Sequence, residues 1–343
     1  MKSALQRAWR SRGLLACSLW PIAQLYGGLV QVRRWLYQIG VFKTQSIGIP
    51  IIVVGNVTVG GGGKTPLVIA LVAHFQRQGL RPAVVSRGYG RQGSGCLEVM
   101  ADTPVLVSGD EPALIKKRAQ VAPVFVANDR VQAARSLLAA YPQTDVIVCD
   151  DGLQHAQLQR TVNVVVFDDT GVGSGWLIPA GPLRQRWPLP AQSAKTLVLH
   201  TGIHPAFKGF VSTRQLADNA IDANGDAVAL ASLTGETGAN TTLVAMAGIA
   251  HPEAFFNMLT ARGLQLARTV RLADHADFSN LDLTQLKLPG EALITVMCTE
   301  KDAVKLFTLK QDASVRLLAV PLIFMPEPAF FSALDDAVNL KRL

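Results

Sequence analysis

Short, nearly unbroken apolar runs punctuate the first half of the chain. PIIVVG at 50–55, AVVS at 83–86, DVIVC at 145–149 and VNVVVF at 162–167 are rich in β-branched residues, as expected of strands covered on both faces. Stretches with helical spacing lie between them, among them LVIALVAHFQRQG after residue 66 and ALIKKRAQ after residue 112. That alternation predicts an α/β fold with a doubly wound, mostly parallel sheet. A proline-rich break, RQRWPLPAQ, follows at 184–192. From about residue 215 a second, smaller α/β unit begins, carrying the strand LVAMAG, the helix HPEAFFNMLTARG and the strand ALITVMC. The expected division is a helical N-terminal segment at 1–45, a large domain at 46–212, a smaller one at 213–325 and a C-terminal helix at 326–343.

The N-terminal segment has a different pattern. Residues 13–32, GLLACSLWPIAQLYGGLVQV, carry no formal charge and are long enough to span a bilayer. Gln24, Gln31, Pro21 and three glycines dilute their apolar content, and basic residues flank both ends with Trp9, Trp20, Tyr26, Trp35 and Tyr37 among them. These features suit a peripheral anchor on an anionic leaflet better than a span. A buried helical hairpin on a soluble domain is the rival reading.

Charge sharpens this picture. The chain has 343 residues, 49% hydrophobic and 17% charged, which excludes disorder over most of its length. Its net charge of +8 is unevenly spread: the first 97 residues hold twelve Lys or Arg and no carboxylate, while the remainder holds 21 basic and 25 acidic residues. A basic third of this kind points to an anionic partner. Nucleic acid is set aside, because stacking aromatics are not interleaved with the cations as a nucleic-acid surface requires. Cys17, Cys96, Cys149 and Cys298 are far apart with no CxxC pair, which fits reduced thiols and neither a disulfide framework nor a cysteine zinc site.

After the first strand comes Thr58-Val59-Gly60-Gly61-Gly62-Gly63-Lys64-Thr65-Pro66, then a helical stretch. Strand, glycine loop and helix start stand in the order of a phosphate cradle. Glycines let backbone N–H groups converge on phosphates, Lys64 neutralises phosphate charge and the Thr65 hydroxyl suits Mg²⁺. The usual pattern has glycine where this chain has Thr58. The strand ending in Asp150-Asp151-Gly152 supplies the metal-side carboxylate. Asp150 is the first candidate, and Asp151 is close enough to share the role.

Other residues are ambiguous when read alone. Ser108-Gly109-Asp110-Glu111-Pro112 is an adequate helix start, with Asp at the cap and acids against the dipole; it also suits a general base or metal-side carboxylate beside phosphates. Thr299-Glu300-Lys301-Asp302 has capping-box spacing, with Lys301 facing phosphate as the lesser reading. Arg87 ends an apolar strand and faces either an anion or solvent. The glycine- and proline-rich loop from Gly171 ends in Arg184, which suits a phosphate clamp. His275 in ADHADF reads, alone, as a solvated loop histidine.

Taken together, VVGNVTVGGGGKTP, SRGYG, GDEP, DDGLQH, LIPAGPLR, the DH of ADHADF and TEKDAVKL resemble the tetraacyldisaccharide 4′-kinase family of lipid A biosynthesis. The motifs occur in that family's order, from about residue 50 to 307. The resemblance implies a P-loop kinase using ATP and Mg²⁺ to phosphorylate the 4′-hydroxyl of a tetraacyl-disaccharide 1-phosphate at the cytoplasmic face of the inner membrane, with no obligate protein partner. It also implies Asp110 and His275 as the catalytic pair, with Lys64, Asp151 and Arg184 in the catalytic set. The cradle would be Thr58, Gly60, Gly61, Gly62, Gly63, Lys64, Thr65 and Pro66, and the metal side Thr65, Asp150 and Glu111. Departures from the family pattern are Gly62 for a threonine, Gln185 for the glutamate of LRE, Arg160-Thr161 for RD, Gly173-Ser174-Gly175 for GNG and His275-Ala276 for a histidine pair. Two other classes remain in view, a membrane-associated partitioning-type ATPase and a nucleotide-binding module without transfer. The first carries an extra lysine near the loop's start, where this chain has Val59.

Overall fold

A computed structural model of the chain describes residues 9–60, 62–189, 194–234, 241–274, 276, 278, 281–287, 291–310 and 312–339. Nine strands form the larger sheet, and the predicted runs are among them: β1 (Ile51–Gly55), β2 (Pro82–Ser86), β3 (Leu97–Glu98), β4 (Val124–Val126), β5 (Val146–Cys149), β6 (Val162–Phe167), β7 (Lys195–His200) and β8 (Phe210–Leu216), with a ninth strand, Leu322–Pro326, contributed by the C-terminal part of the chain. Every residue of β1, β2, β5 and β6 is buried, which is why these strands read as unbroken apolar runs instead of alternating ones.

The two central neighbours of β1 are β5 and β6, both parallel to it. The chain winds outward from β1 through β2 to β4, then returns to insert β5 between β1 and β2, and continues on the far side with β6, β7 and β8. β1 therefore stands at the point where the winding reverses, and the crevice above its carboxyl end is where such sheets bind ligands. Apolar residues cover both faces. On one, the helix Lys64–Arg77 contributes Leu67, Leu71 and Phe75; on the other, the helix Arg130–Ala140 packs Val131, Ala134 and Leu137.

A second, six-stranded sheet is built between β8 and the ninth strand. It consists of β9 (Asn219–Ile221), β10 (Ala227–Ala229), β11 (Thr241–Ala247), β12 (Arg268–Arg271), β13 (Leu293–Thr299) and β14 (Val315–Val320). The chain leaves the large sheet along β8 and returns along β15 (Leu322–Pro326), which pairs antiparallel with β8 from Leu322↔Leu216 to Pro326↔Ser212. These two strands run through the divisions expected at 212/213 and 325/326. The hydrogen-bonded ladder, which composition does not reveal, keeps both in the large sheet. The last helix, Pro328–Val338, then buries Phe330, Leu334 and Val338 in the core of the large sheet.

The N-terminal helix α1 (Leu14–Gln38) inverts the usual arrangement. Its buried residues are the small ones, Ala16, Ala23 and Gly27, while Leu14, Leu25, Leu29 and Trp35 are exposed. A Cβ on Gly27 would come within 2.8 Å of Leu177 Cδ1, so glycine lets the helix approach without moving that leucine side chain. The helix and the residues leading into it are held to the loop ending at Arg184: Trp9 Nε1 donates to Pro179 O at 2.9 Å, and Tyr26 Oη, within the helix, to Arg184 O at 2.7 Å. Among the described residues this helix is single and largely exposed, unlike the buried hairpin considered from sequence. The four cysteines are all free.

Candidate active site

The glycine loop crosses the carboxyl end of β1 and enters α2 (Lys64–Arg77) through Gly63, whose φ of 88° lies in the left-handed region that glycine adopts without a Cβ clash. Buried Asn56 organises the loop from inside. Its Nδ2 donates to Gly60 O at 2.8 Å, and its Oδ1 accepts from Lys64 Nζ at 3.3 Å. Lys64 and Thr65 are buried in the first turn of α2, with Pro66 beside them. Thr58 bridges Leu183, and the Val59 N–H donates to Pro182 O at 2.8 Å. The LIPAGPLR loop thus forms the outer wall of the phosphate loop and delivers Arg184. Gly61, one of the predicted cradle residues, lies outside the described residues.

The charged groups converge from three elements. Lys64 Nζ lies 3.5 Å from Asp151 Oδ1, and Arg184 Nη1 lies 3.3 Å from Asp151 Oδ2. Burial works against the Asp151 carboxylate, but the cations of Lys64 and Arg184 hold it below its ordinary pKa. Asp151 has a φ of 46°, unusual for a residue with a side chain and tolerated by aspartate better than by most. The backbone carbonyl of Asp151 accepts from Arg130 Nη2 at 3.2 Å.

Asp150 is the opposite case. It has no solvent exposure, and burial, reinforced by the negative charges of Glu111 and Asp151, raises its pKa to about 7. Ser86 Oγ donates to its Oδ2 at 3.3 Å, while Oδ1 has no hydrogen-bond partner. A buried carboxylate oxygen without a partner, within electrostatic reach of Glu111 and Asp151, is the kind of hard oxygen donor a divalent cation takes. The residues present therefore fit Mg²⁺, with Asp150, Thr65 and Glu111 as its candidate holders. Asp151 is engaged by two cations, Lys64 and Arg184, whereas Asp150 Oδ1 has no partner.

Asp110 opens the helix α4 (Asp110–Arg118, following the short helix Val105–Ser108, α3) and does not cap it. The cap position is Gly109, with a φ of 90° and no side-chain capping bond. A Cβ there would meet the Gly88 backbone at 3.1 Å, so the SRGYG and GDEP motifs fit together only because both positions are glycine. The Asp110 carboxylate instead meets Lys305 Nζ at 2.7 Å. Glu111 Oε1 lies 3.9 Å from Lys301 Nζ. Both lysines belong to the seven-residue helix Glu300–Leu306 that follows β13, whose cap is Thr299 as its spacing predicts: Thr299 Oγ1 accepts from the Asp302 N–H at 3.2 Å. Lys301 also pairs with Asp274 at 2.9 Å, and Lys305 Nζ donates to Ala276 O at 3.2 Å. His275 lies outside the described residues. Arg87 is exposed.

Sequence reasoning had not assigned Asn56, Arg130, Ser86 or Lys305. Asn56, Ser86 and Lys305 lie inside the motifs, but the roles of Ser86 and Lys305 depend on contacts across 64 and 195 residues of chain. No local pattern carries those.

A glycine loop at the reversal point of a parallel sheet, a loop lysine paired with a strand-end aspartate, and a second, buried aspartate suited to Mg²⁺ define a P-loop nucleotide-binding protein. The comparisons narrow this class. The family model described as tetraacyldisaccharide-1-P 4′-kinase matches residues 15–339, and the chain belongs to that family. It is 60% identical over 339 residues to the tetraacyldisaccharide 4′-kinase of Polaromonas naphthalenivorans (strain CJ2), covering 99% of this chain and 96% of that protein. The enzyme of Acidovorax sp. (strain JS42) is 49% identical, covering 96% of this chain and 93% of its own. The crystal structure of LpxK from Aquifex aeolicus in complex with ATP superposes with a TM-score of 0.75 at 25% identity, covering 95% of this chain and 99% of that one. These relatives bear the kinase description, and nothing in them favours the partitioning-ATPase or binding-module readings.

Proposed function

We propose that this chain transfers the γ-phosphoryl group of MgATP to the 4′-hydroxyl of a tetraacyl-disaccharide 1-phosphate. The observation that carries the reading is the Lys64–Asp151–Arg184 array over the glycine loop, beside the partnerless oxygen of buried Asp150. Backbone N–H groups of the loop and Lys64 bind the β- and γ-phosphates and accept charge that develops on the transferred group. Asp151 keeps Lys64 and Arg184 aimed across the same space. Mg²⁺, held by Asp150, Thr65 and Glu111, supplies neutralisation of phosphate charge when bound. Asp110 is the base that receives the acceptor proton, and His275 supports it. The ion pair with Lys305 favours the ionised carboxylate that a base must be.

The acceptor is a lipid, and α1 gives the enzyme a means to reach it. A 25-residue helix that is apolar enough to cross a membrane and exposes Leu14, Leu25, Leu29 and Trp35 has no reason to do so in water. With the carboxylate-free basic segment around it, this supports docking on an anionic leaflet at the cytoplasmic face of the inner membrane, where ATP is available. Tyr26 links that helix directly to the backbone of Arg184, so the docking surface and the phosphate site share one wall.

Transfer of ³²P from [γ-³²P]ATP to tetraacyl-disaccharide 1-phosphate in detergent micelles with Mg²⁺ tests the reading. Labelled lipid is expected from the wild type, with Lys64→Ala losing on the order of 100-fold or more in rate. ATP hydrolysis without labelled lipid would overturn the transferase assignment. Full activity in Lys64→Ala would remove the phosphate-loop assignment.

A further inference from the structure

The phosphate loop is braced from behind by residues that enter from the far side of the large sheet. Thr201 immediately follows β7 and is buried. Its hydroxyl donates to Gly62 O at 2.9 Å and lies 3.2 Å from Phe167 O, at the end of β6. Arg214 comes from β8, which continues past the end of β7: Phe210 and Val211 pair with Leu199 and His200, and later residues extend beyond that register. Its Nη2 reaches the same Gly62 carbonyl at 3.5 Å, and it sits 2.6 Å from where a Cβ on Gly63 would be. The guanidinium rests near the Phe324 ring, and its Nε is buried without a hydrogen-bond partner.

This arrangement has a stereochemical consequence. The Gly62–Gly63 peptide is trans, so its C=O and N–H point to opposite sides of the peptide plane. Holding the Gly62 carbonyl back toward Thr201 and Arg214 turns the Gly63 N–H to the opposite side, away from β8. Asn56 holds the Gly60 carbonyl in the same manner from inside the loop. A run of glycines is otherwise the segment of the chain with the most backbone freedom to lose, so an unbraced loop would lose more entropy each time it closed on a phosphate.

We infer that Thr201 and Arg214 are positioning residues for the phosphate cradle: they fix the Gly62–Gly63 peptide so that its N–H is presented to the nucleotide phosphates, and Arg214 adds a cation behind them. The inference rests on the kinase reading for the identity of the phosphates, but not on the lipid acceptor.

The test compares Thr201→Val and Arg214→Met with Thr201→Ser and Arg214→Lys. Affinity for ATP, ADP and adenosine is measured by titration calorimetry on the full chain, alongside the KM for ATP and kcat in the lipid assay. Thr201→Val and Arg214→Met are expected to weaken ATP and ADP about tenfold and to raise the KM for ATP similarly. Adenosine affinity should stay within about twofold, and Thr201→Ser should restore wild-type binding. ATP affinity unchanged in both variants would overturn the inference. So would equal losses for ATP and adenosine, because a general packing defect does not discriminate by phosphate. Failure of the wild type to label lipid would refute the acceptor assignment instead, leaving the calorimetric comparison decisive for Thr201 and Arg214.

Discussion

Asp150 ends β5 out of contact with water, and its carboxyl titrates near pH 7 instead of in the ordinary carboxylate range. A raised pKa in the folded state means that the native, metal-free protein holds this proton more tightly than the unfolded chain does. The resulting stability is complete below the unfolded value near 4 and is lost as pH rises through about 7. Metal-free wild-type protein is therefore expected to lose thermal stability relative to Asp150→Asn as pH rises from about 4 to about 7. Melting curves of the two proteins across that range check this, and a difference that does not change with pH would contradict it. The same environment explains why the site tolerates two adjacent aspartates. Lys64 and Arg184 engage Asp151, while burial and its acidic neighbours keep Asp150 only partly ionised near neutral pH. The sequence favours Asp150 for the metal side but lets Asp151 share the role, because their difference comes from residues 64, 111 and 184 and not from neighbours in the chain.

Among the elements, α1 departs furthest from soluble-protein rules, with small residues inside and large apolar ones outside. Replacing Leu25 and Leu29 together by glutamate removes apolar area from the exposed face and adds repulsion from an anionic surface. This double variant is expected to lose most of its co-sedimentation with vesicles containing anionic lipid, while its melting temperature and ATP affinity stay close to wild type. Undiminished sedimentation would show that another surface docks. The strands around β1 were legible because burial on both faces leaves an apolar run in the sequence. β8 was not, because its residues alternate in burial along FVSTRQL and its partner β15 comes from 106 residues further along the chain. Thr201 and Arg214 were hidden for that reason. Arg214 lies on β8, and Thr201 follows β7 outside any motif, reaching Gly62 across 139 residues of chain.

At the scale of the whole molecule, the smaller sheet is an excursion between two hydrogen-bonded strands of the larger one, so both of its connections leave from the same edge. A second contact lies along α4, where Asp110, Glu111 and Arg118 meet Lys305, Lys301 and Glu300 of the helix after β13. Arg118 Nη1 to Glu300 Oε1 is 2.8 Å, and the other oxygen of Glu300 accepts from the Leu322 N–H at 3.1 Å as the chain re-enters the large sheet. The lysines of that helix also hold Asp274 and the carbonyl of Ala276, the residues on either side of His275. In the proposed mechanism Asp110 and His275 belong to segments that this seam joins, so the two would act as one unit while it is closed, tying proton removal to exclusion of water and limiting loss of phosphate to hydrolysis. Groups that act as one unit have non-additive kinetics. Asp110→Ala and His275→Ala are each expected to lower kcat by about 10²- to 10⁴-fold with a smaller effect on the KM for ATP. The double variant should be no slower than the slower single one. Losses that multiply in the double variant would mean that the two residues act independently, and the seam would then have to be assigned a purely structural role.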